Sequence, residues 1–180
     1  METYIALLRG INVSGQKKVN MKLLKEMFET LGFQDVQTYI QSGNVVFRSK
    51  KTPVKKLVKQ IQEEILKVFG FEVRVLIRTQ AALQAVVESC PFVKEKGSEE
   101  DKIYIVFLDE EPKPENIEKL NTVNYAPERF TISGLTLYFY CPNGYGKAKL
   151  NNNLFESKLK VAATTRNWRT VNILADMQLP

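Results

Sequence analysis

Residues 4–31, YIALLRGINVSGQKKVNMKLLKEMFETL, contain an apolar segment, a polar glycine loop and a helical pattern in succession. Residues 4–8 are apolar throughout, which is typical of a strand buried on both faces of its sheet. The loop over residues 9–19 contains two glycines and two adjacent lysines, so its backbone can approach a ligand under positive potential. Asn20 is a favourable N-cap for the helix that follows. The stretch therefore predicts a strand–loop–helix unit with a candidate anion site in the loop.

The pattern after this unit predicts a hairpin, a long amphipathic helix and a further strand. The predicted elements are hairpin strands over residues 35–40 and 44–49 around Gln41-Ser42-Gly43, a helix over 54–69 after Pro53, and a strand over 72–78. Taken together, the order is β-α-β-β-α-β, which is that of the ferredoxin-like unit.

The second half predicts nearly the same order. The predicted elements are a short helix capped by Thr79, an acidic linker over residues 94–101, a strand over 103–108, a helix after Pro114 that includes Val123, a hairpin around Ser133-Gly134, and helical sequence to the end. We therefore expect an α+β protein with two tandem ferredoxin-like halves packed together. These are residues 1–79 and, with the C-terminal helix, residues 102–180; residues 80–101 form a connecting helix and linker.

Composition excludes several kinds of chemistry. The 180 residues include no histidine, so a Ser-His-Asp hydrolase, a Cys-His protease and the usual histidine-containing zinc sites are excluded. Cys90 and Cys141 are too few for a structural zinc site, and we expect buried free thiols. No apolar run approaches the roughly 20 residues of a membrane span, and no signal-peptide pattern begins the chain. We expect a cytoplasmic protein without metal, cofactor or membrane contact.

Charge is concentrated in the first half. Residues 1–79 contain 14 basic and 7 acidic side chains, within a chain whose formal net charge is +6. Near the C-terminus a second basic segment appears, TTRNWRT over residues 164–170. A threonine of this segment is predicted to cap a helix that buries Trp168, while Arg166 and Arg169 emerge together and favour an anion. The alternative is a solvated basic turn with Trp168 in the core.

Several motifs together resemble an uncharacterised bacterial family, the domain of unknown function numbered 1697. They are LLRGIN with the SGQKKV loop, Met21 in the next helix, TYIQSGNVVF and TTRNWRTV, and they span the chain. Ser14 stands where the family pattern has a glycine. The resemblance implies a duplicated α+β protein and no assigned activity.

Two more specific functional assignments, a P-loop nucleotide-binding site and an RNA-recognition module, are disfavoured. Gly10 and Gly15 after a strand imitate a phosphate-binding P-loop, but Gln16 stands where the motif requires lysine. An RNA-recognition module keeps one sheet face open with aromatic platforms, whereas strands that are apolar on both faces favour Phe47 as a core residue.

Three hypotheses remain, and none identifies a catalytic residue or decides whether the protein is an enzyme. The first is binding of a small phosphorylated or carboxylated ligand between the N-terminal loop and the C-terminal helix. Its candidate residues are Arg9, Gly10, Asn12, Gly15, Lys17, Ser42, Gly43, Asn44, Arg166, Asn167, Trp168 and Arg169. The second is a sequence-tolerant nucleic-acid module that uses the basic first half with Tyr145, Lys147 and Lys149. The third is a scaffold or oligomer with a basic face. We favour the first because glycine loops and helix caps build pockets.

Overall fold

Two four-stranded antiparallel sheets form the framework of the protein, one in each of two compact units. The computed structural model describes residues 1–180. Unit 1 comprises Met1–Gln84 with Leu174–Pro180, and unit 2 comprises Ala85–Ile173. The chain is therefore a mixed α and β protein built from two halves, as the sequence predicts at this level.

Unit 1 contains the elements predicted from the first stretch and its continuation. They are β1 (Glu2–Leu8), α1 (Met21–Thr30), β2 (Gln34–Tyr39), β3 (Asn44–Ser49), α2 (Val54–Phe69), β4 (Val75–Thr79) and the start of α3 (Gln80–Glu88). The strands lie in the order β2-β3-β1-β4. Asn20 caps α1 as predicted, since its Oδ1 accepts a hydrogen bond of 3.0 Å from the Leu23 N–H.

The core of unit 1 lies between the sheet and helices α1 and α2. Tyr4 and Leu8 point into it from β1, and Phe28 of α1 and Ile61 of α2 meet them there. Phe47 of β3 is fully buried, and its ring centroid lies 5.3 Å from that of Phe28. Full burial of each such side chain contributes about 1.5–3 kcal/mol to folding. The prediction that Phe47 is a core residue is therefore confirmed.

The other face of β1 is also buried. Ile5 and Leu7 alternate with the core-facing residues, and both are 0% exposed. A strand that is covered on both faces is apolar at every position, because a polar side chain on either face would be buried away from water. This explains why residues 4–8 contain no polar side chain.

Unit 2 repeats this arrangement. After the end of α3 its elements are β5 (Ile103–Leu108), α4 (Pro114–Asn121), β6 (Arg129–Ser133), β7 (Thr136–Tyr140), α5 (Asn152–Leu159), β8 (Ala163–Asn167) and most of α6 (Trp168–Asp176). The strands lie in the order β6-β7-β5-β8. β5 has the predicted bounds, whereas α4 ends before Val123, which is 48% exposed.

The prediction of helical sequence to the C-terminus is wrong at β8. Ala163–Asn167 is a strand, paired antiparallel to β5 with Thr164 opposite Phe107 and Arg166 opposite Ile105. Two adjacent β-branched threonines fit a pleated sheet better than a helix, and pairing with a buried neighbour decides their conformation. The threonine predicted to cap the last helix is therefore part of a strand, and α6 begins only at Trp168.

Strand pairing makes the two units comparable residue by residue. Tyr4 pairs with Thr79 in unit 1 at the register at which Tyr104 pairs with Asn167 in unit 2. This alignment matches YIALL of β1 with YIVFL of β5, which are identical at their first, second and last residues. The sequence pattern alone gave no such alignment, because loops of different length separate the corresponding elements.

The last residues of the chain are held by polar contacts within unit 1. Gln80 Nε2 donates to the carbonyls of Ala175 and Met177 at 3.1 and 2.9 Å. Arg48 donates to the Pro180 carbonyl at 2.7 Å and forms an ion pair of 2.9 Å with Asp35. The compact units divide between Gln84 and Ala85, which lie within the predicted connecting segment 80–101, and again within α6.

The acidic segment over residues 94–101 is anchored at its start. Phe92 is buried just before it, and the Glu95 carboxylate lies 2.8 Å from an Arg129 guanidinium nitrogen. That guanidinium lies over the rings of Phe92 and Tyr140, 5.2 and 5.1 Å from their centroids. Arg129 thus joins this segment to the edge of the second sheet.

None of the helices has the length and apolar character needed to cross a lipid bilayer.

We expect limited proteolysis to cut first within residues 96–101, because these residues are exposed or half-buried and lie beyond the Glu95 anchor. Arg129→Ala removes the ion pair and both ring contacts, so cleavage there should become about fivefold faster for a loss of about 1 kcal/mol. Fragment masses measured over a digestion time course test both statements. Arg74→Ala, at an exposed arginine of unit 1, is the control. Earlier cleavage inside α2 would contradict the prediction.

Candidate functional site

The glycine loop over residues 9–19 is a tight hairpin closed by its own backbone. The Asn12 N–H donates to the Lys17 carbonyl at 3.1 Å, and the Gln16 N–H donates to the Val13 carbonyl at 2.9 Å. Ser14 and Gly15 occupy the turn with φ of 50° and 72°, the left-handed pair that a type I′ turn requires. Gly15 is therefore needed for the turn, and a serine is tolerated beside it.

The Asn12 side chain holds this loop together. Its Nδ2 donates to the Gln41 and Val19 carbonyls at 2.8 and 3.1 Å, and its Oδ1 accepts from the Val19 N–H at 2.8 Å. These three bonds use both amide hydrogens and tie the loop to the β2–β3 turn. The N-terminal loop and the turn around Ser42 therefore lie together, and the contacts of Asn12 are structural.

Gly43 allows the loop to pack against the turn. It is buried with φ of +87°, and a Cβ added there would lie 2.7 Å from Ile11 Cδ1 and 2.8 Å from Leu8 Cβ. Asn44 is fully buried, and its Nδ2 donates to the Tyr39 carbonyl at 2.9 Å and to Ser42 Oγ at 3.0 Å. Gly43, Asn44 and Ser42 thus form the support beneath the loop.

The basic side chains of the loop lie at its surface. Lys17 Nζ donates to the Glu72 carbonyl at 2.7 Å, Arg9 is half-buried, and Gly10 is exposed. A pocket of about 480 Å³ begins at Lys17. It is lined by Lys17, Gln62, Glu63, Leu66, Glu72, Val73 and Arg74. Two of these residues are basic and two are acidic, so the lining has no formal net charge.

Arg166 lies in β8 and is buried, with 7% of its surface exposed. Its Nη1 donates to Thr164 Oγ1 at 2.7 Å and to the Thr165 carbonyl at 3.0 Å. Burial lowers the pKa of this guanidinium to about 10. The prediction that Arg166 and Arg169 emerge together from one helix is therefore wrong, since only Arg169 is helical and exposed.

Asn167 is the residue that caps α6. Its Oδ1 accepts a hydrogen bond of 2.8 Å from the Thr170 N–H, a contact worth about 1 kcal/mol to the helix. The backbone group that this side chain satisfies therefore belongs to its own helix. Trp168, the first residue of α6, is 6% exposed and so is a largely buried residue, as predicted.

A pocket of about 640 Å³ lies in unit 2 at the start of α6. Its lining residues are Glu100, Asp101, Tyr104, Asn167, Trp168, Arg169, Asn172 and Ile173. It is the place where three of the predicted site residues, Asn167, Trp168 and Arg169, come together. Sequence reasoning missed Tyr104 and Asn172, because only the strand register brings β5 beside the first turns of α6.

The ring of Tyr104 packs against the ring of Tyr145. Their ring centroids are 4.9 Å apart, and the Tyr145 hydroxyl accepts a hydrogen bond of 3.0 Å from the Asn152 N–H. Burial raises the pKa of Tyr104, and the Asp101 carboxylate adds to this shift. Tyr145 is thus half-buried and makes its contacts within its own unit.

The two cysteines are buried free thiols, as predicted. Burial raises the pKa of both, that of Cys141 to about 11, so each stays protonated near neutral pH. The structure contains no group of three or more His, Cys, Asp or Glu side chains placed to hold a metal ion.

The predicted site residues thus belong to two sets. Those from Arg9 to Asn44 lie in unit 1, and those from Arg166 to Arg169 lie in unit 2. That both sets enclose one anion stays a prediction from the sequence.

We expect Gly43→Ala to destabilise the protein by about 2–4 kcal/mol, because the new methyl group meets Ile11 and Leu8 and the residue keeps a left-handed backbone. Gly15→Ala is the matched control: it has φ of +72° but nothing within 4 Å of the added Cβ, so it should cost only about 1 kcal/mol. Urea unfolding of both variants measures the difference. Equal losses would show that packing under the loop is unimportant.

Comparison with known proteins agrees with this architecture. A solved structure of a conserved bacterial protein from Streptococcus pneumoniae is similar with a TM-score of 0.75 at 22% sequence identity, over 97% of each chain. No curated protein matches the sequence. The model of the family described as protein of unknown function DUF1697 matches residues 1–138. The chain therefore belongs to the DUF1697 family of proteins of unknown function.

Proposed function

We propose that this protein binds a small ligand that carries a phosphate or carboxylate group, and that the pocket of unit 2 receives this group at Arg169. The observation that carries the proposal is the exposed Arg169 guanidinium in the first turn of α6, at the rim of a pocket of about 640 Å³. Pockets of this size that combine apolar walls with a few polar groups are typical of small-molecule sites.

Electrostatics at the start of α6 support an anionic group there. The first turn contains no acidic residue, and the helix dipole places partial positive charge at this end. Arginine adds a planar donor array that matches carboxylate or phosphate oxygens. Arg166 does not take part in this proposal, since its guanidinium is buried against Thr164.

Apolar and amide groups supply the remaining walls. Trp168, Tyr104 and Ile173 offer apolar surface. Asn172 is held in place because its Nδ2 donates to the Trp168 carbonyl at 2.8 Å. The proposal concerns binding and assigns no reaction to the pocket.

We propose further that each unit has the ferredoxin-like topology. The order β-α-β-β-α-β with neighbouring strands β2-β3-β1-β4 in unit 1, and the equivalent β6-β7-β5-β8 in unit 2, support two ferredoxin-like repeats. In each repeat the fourth strand runs directly into a helix, α3 or α6. The proposed anion position is the start of the helix in the second repeat.

We expect Arg169→Ala to weaken binding of phenylpropionate and of hexanoate by about tenfold or more, because a charge-assisted hydrogen bond worth roughly 1.5–3 kcal/mol is lost. Trp168 is the only tryptophan of the chain and lines the pocket, so its fluorescence reports occupancy directly. Lys158→Ala, at an exposed lysine of α5, should leave the affinity unchanged. Equal affinity in the Arg169 variant would refute the proposed site.

The nucleic-acid hypothesis predicts a different result. Single-stranded oligonucleotides held by the α2 lysines would lose about 10³ in affinity between low and physiological salt. We expect no such binding, because Lys59 and Lys67 lie 3.8 and 3.2 Å from carboxylates of Glu63 and Glu64 on the same helix. Tight oligonucleotide binding that is lost evenly on neutralising these lysines would move the assignment to nucleic-acid binding.

A further inference from the structure

The lining of the unit 2 pocket carries charge of both signs. Arg169 is its one basic residue, and Glu100 and Asp101 are its two acidic residues, so the lining has a formal charge of −1. Glu100 and Asp101 lie in the short helical turn Glu100–Lys102 just before β5. Asp101 is 73% exposed at its side chain, and Lys102 lies 3.7 Å from it. A plain anion would meet attraction at Arg169 and repulsion from the two carboxylates.

From this arrangement we infer that the ligand is zwitterionic: its anionic group binds Arg169, and a cationic amine of the same molecule faces Glu100 and Asp101. This inference rests on the proposed function and adds the second charge of the ligand. A molecule with both charges gains Coulomb attraction at two places, whereas a molecule with one charge is repelled at one of them.

The centre of the pocket fits an apolar connection between the two charges. Tyr104, Trp168 and Ile173 lie on its walls, and Tyr104 is backed by the ring of Tyr145 at 4.9 Å between centroids. An aromatic face also attracts an ammonium group. The ligand class is therefore a small amine-containing carboxylate or phosphate with an aliphatic or aromatic body.

Of the three consecutive acidic residues Glu99, Glu100 and Asp101, only the last two line the pocket. Glu99 precedes Glu100 directly and is exposed, but it does not line the pocket. The pair Glu100 and Asp101 can therefore be neutralised while Glu99 serves as a control of equal charge in the same segment. All three side chains are exposed, so their amide variants leave the core unchanged.

The test uses two series of probes that keep the apolar body and change only the charges. One series is free phenylalanine, phenylpropionate and phenethylamine; the other is aminohexanoate, hexanoate and hexylamine, in which the two charges are further apart. Each probe is titrated into the full chain while the fluorescence of Trp168 is followed. We expect the zwitterion of at least one series to bind about tenfold more tightly than both of its singly charged relatives.

Neutralising the carboxylates separates this inference from the proposed function. In a Glu100→Gln, Asp101→Asn variant the zwitterion should bind no better than its carboxylate relative, a loss of about tenfold, while Glu99→Gln should behave as the unaltered protein. If carboxylates bind as tightly as zwitterions in both series and need Arg169, the inference fails and the proposed function stands. If the amines alone bind and Arg169→Ala has no effect, both fail. If no probe, inorganic phosphate included, changes the fluorescence, both fail as well.

Discussion

The pairing of β8 with β5 is the interaction on which the candidate site depends. Ile105 lies opposite Arg166 and Tyr104 lies opposite Asn167, so the arginine is on the same sheet face as the buried Ile105 and the asparagine lies at the start of α6. Because side chains alternate along a strand, a shift of one residue would move Arg166 to the opposite face of the sheet and remove the cap from α6. The same register sets Tyr104 beside the first turns of α6, and so it forms the floor of the pocket.

In the N-terminal loop the polar residues mainly support the backbone. A chain that turns sharply between a strand and a helix leaves N–H and C=O groups without partners in regular structure, and buried backbone groups must find others. Asn12 supplies three such bonds with one amide. Under the adjoining turn, Asn44 supplies another to the Tyr39 carbonyl and also donates to Ser42 Oγ. Residue types that suggest ligand binding in the sequence are used here to close a hairpin.

The junction between the fourth strand and the following helix has the same geometry in both units, but the residue after the helix cap has a different role in each. In both units an arginine of the fourth strand donates to the carbonyl of the residue before it, Arg78 to Ile77 at 2.9 Å and Arg166 to Thr165 at 3.0 Å. The next residue then caps a helix, Thr79 in one case and Asn167 in the other. In unit 1 the following residue is Gln80, which binds carbonyls of the C-terminal tail. In unit 2 it is Trp168, which lines a pocket.

Elements with local signals are predictable from the sequence alone. Asn20, Pro53 and the apolar spacing of α1 and α2 fix helix starts and buried faces through contacts within a few residues, and the apolar strand 4–8 requires cover on both faces. The family also follows from the sequence, since it rests on motifs. Only the tertiary structure decided that residues 163–167 form a strand, that Arg166 is buried, and that Tyr104 meets Trp168 at a pocket. Those outcomes depend on pairing between segments about 60 residues apart. Locally, threonine, asparagine and arginine are also compatible with a helix start, so only the neighbouring strand decides their conformation.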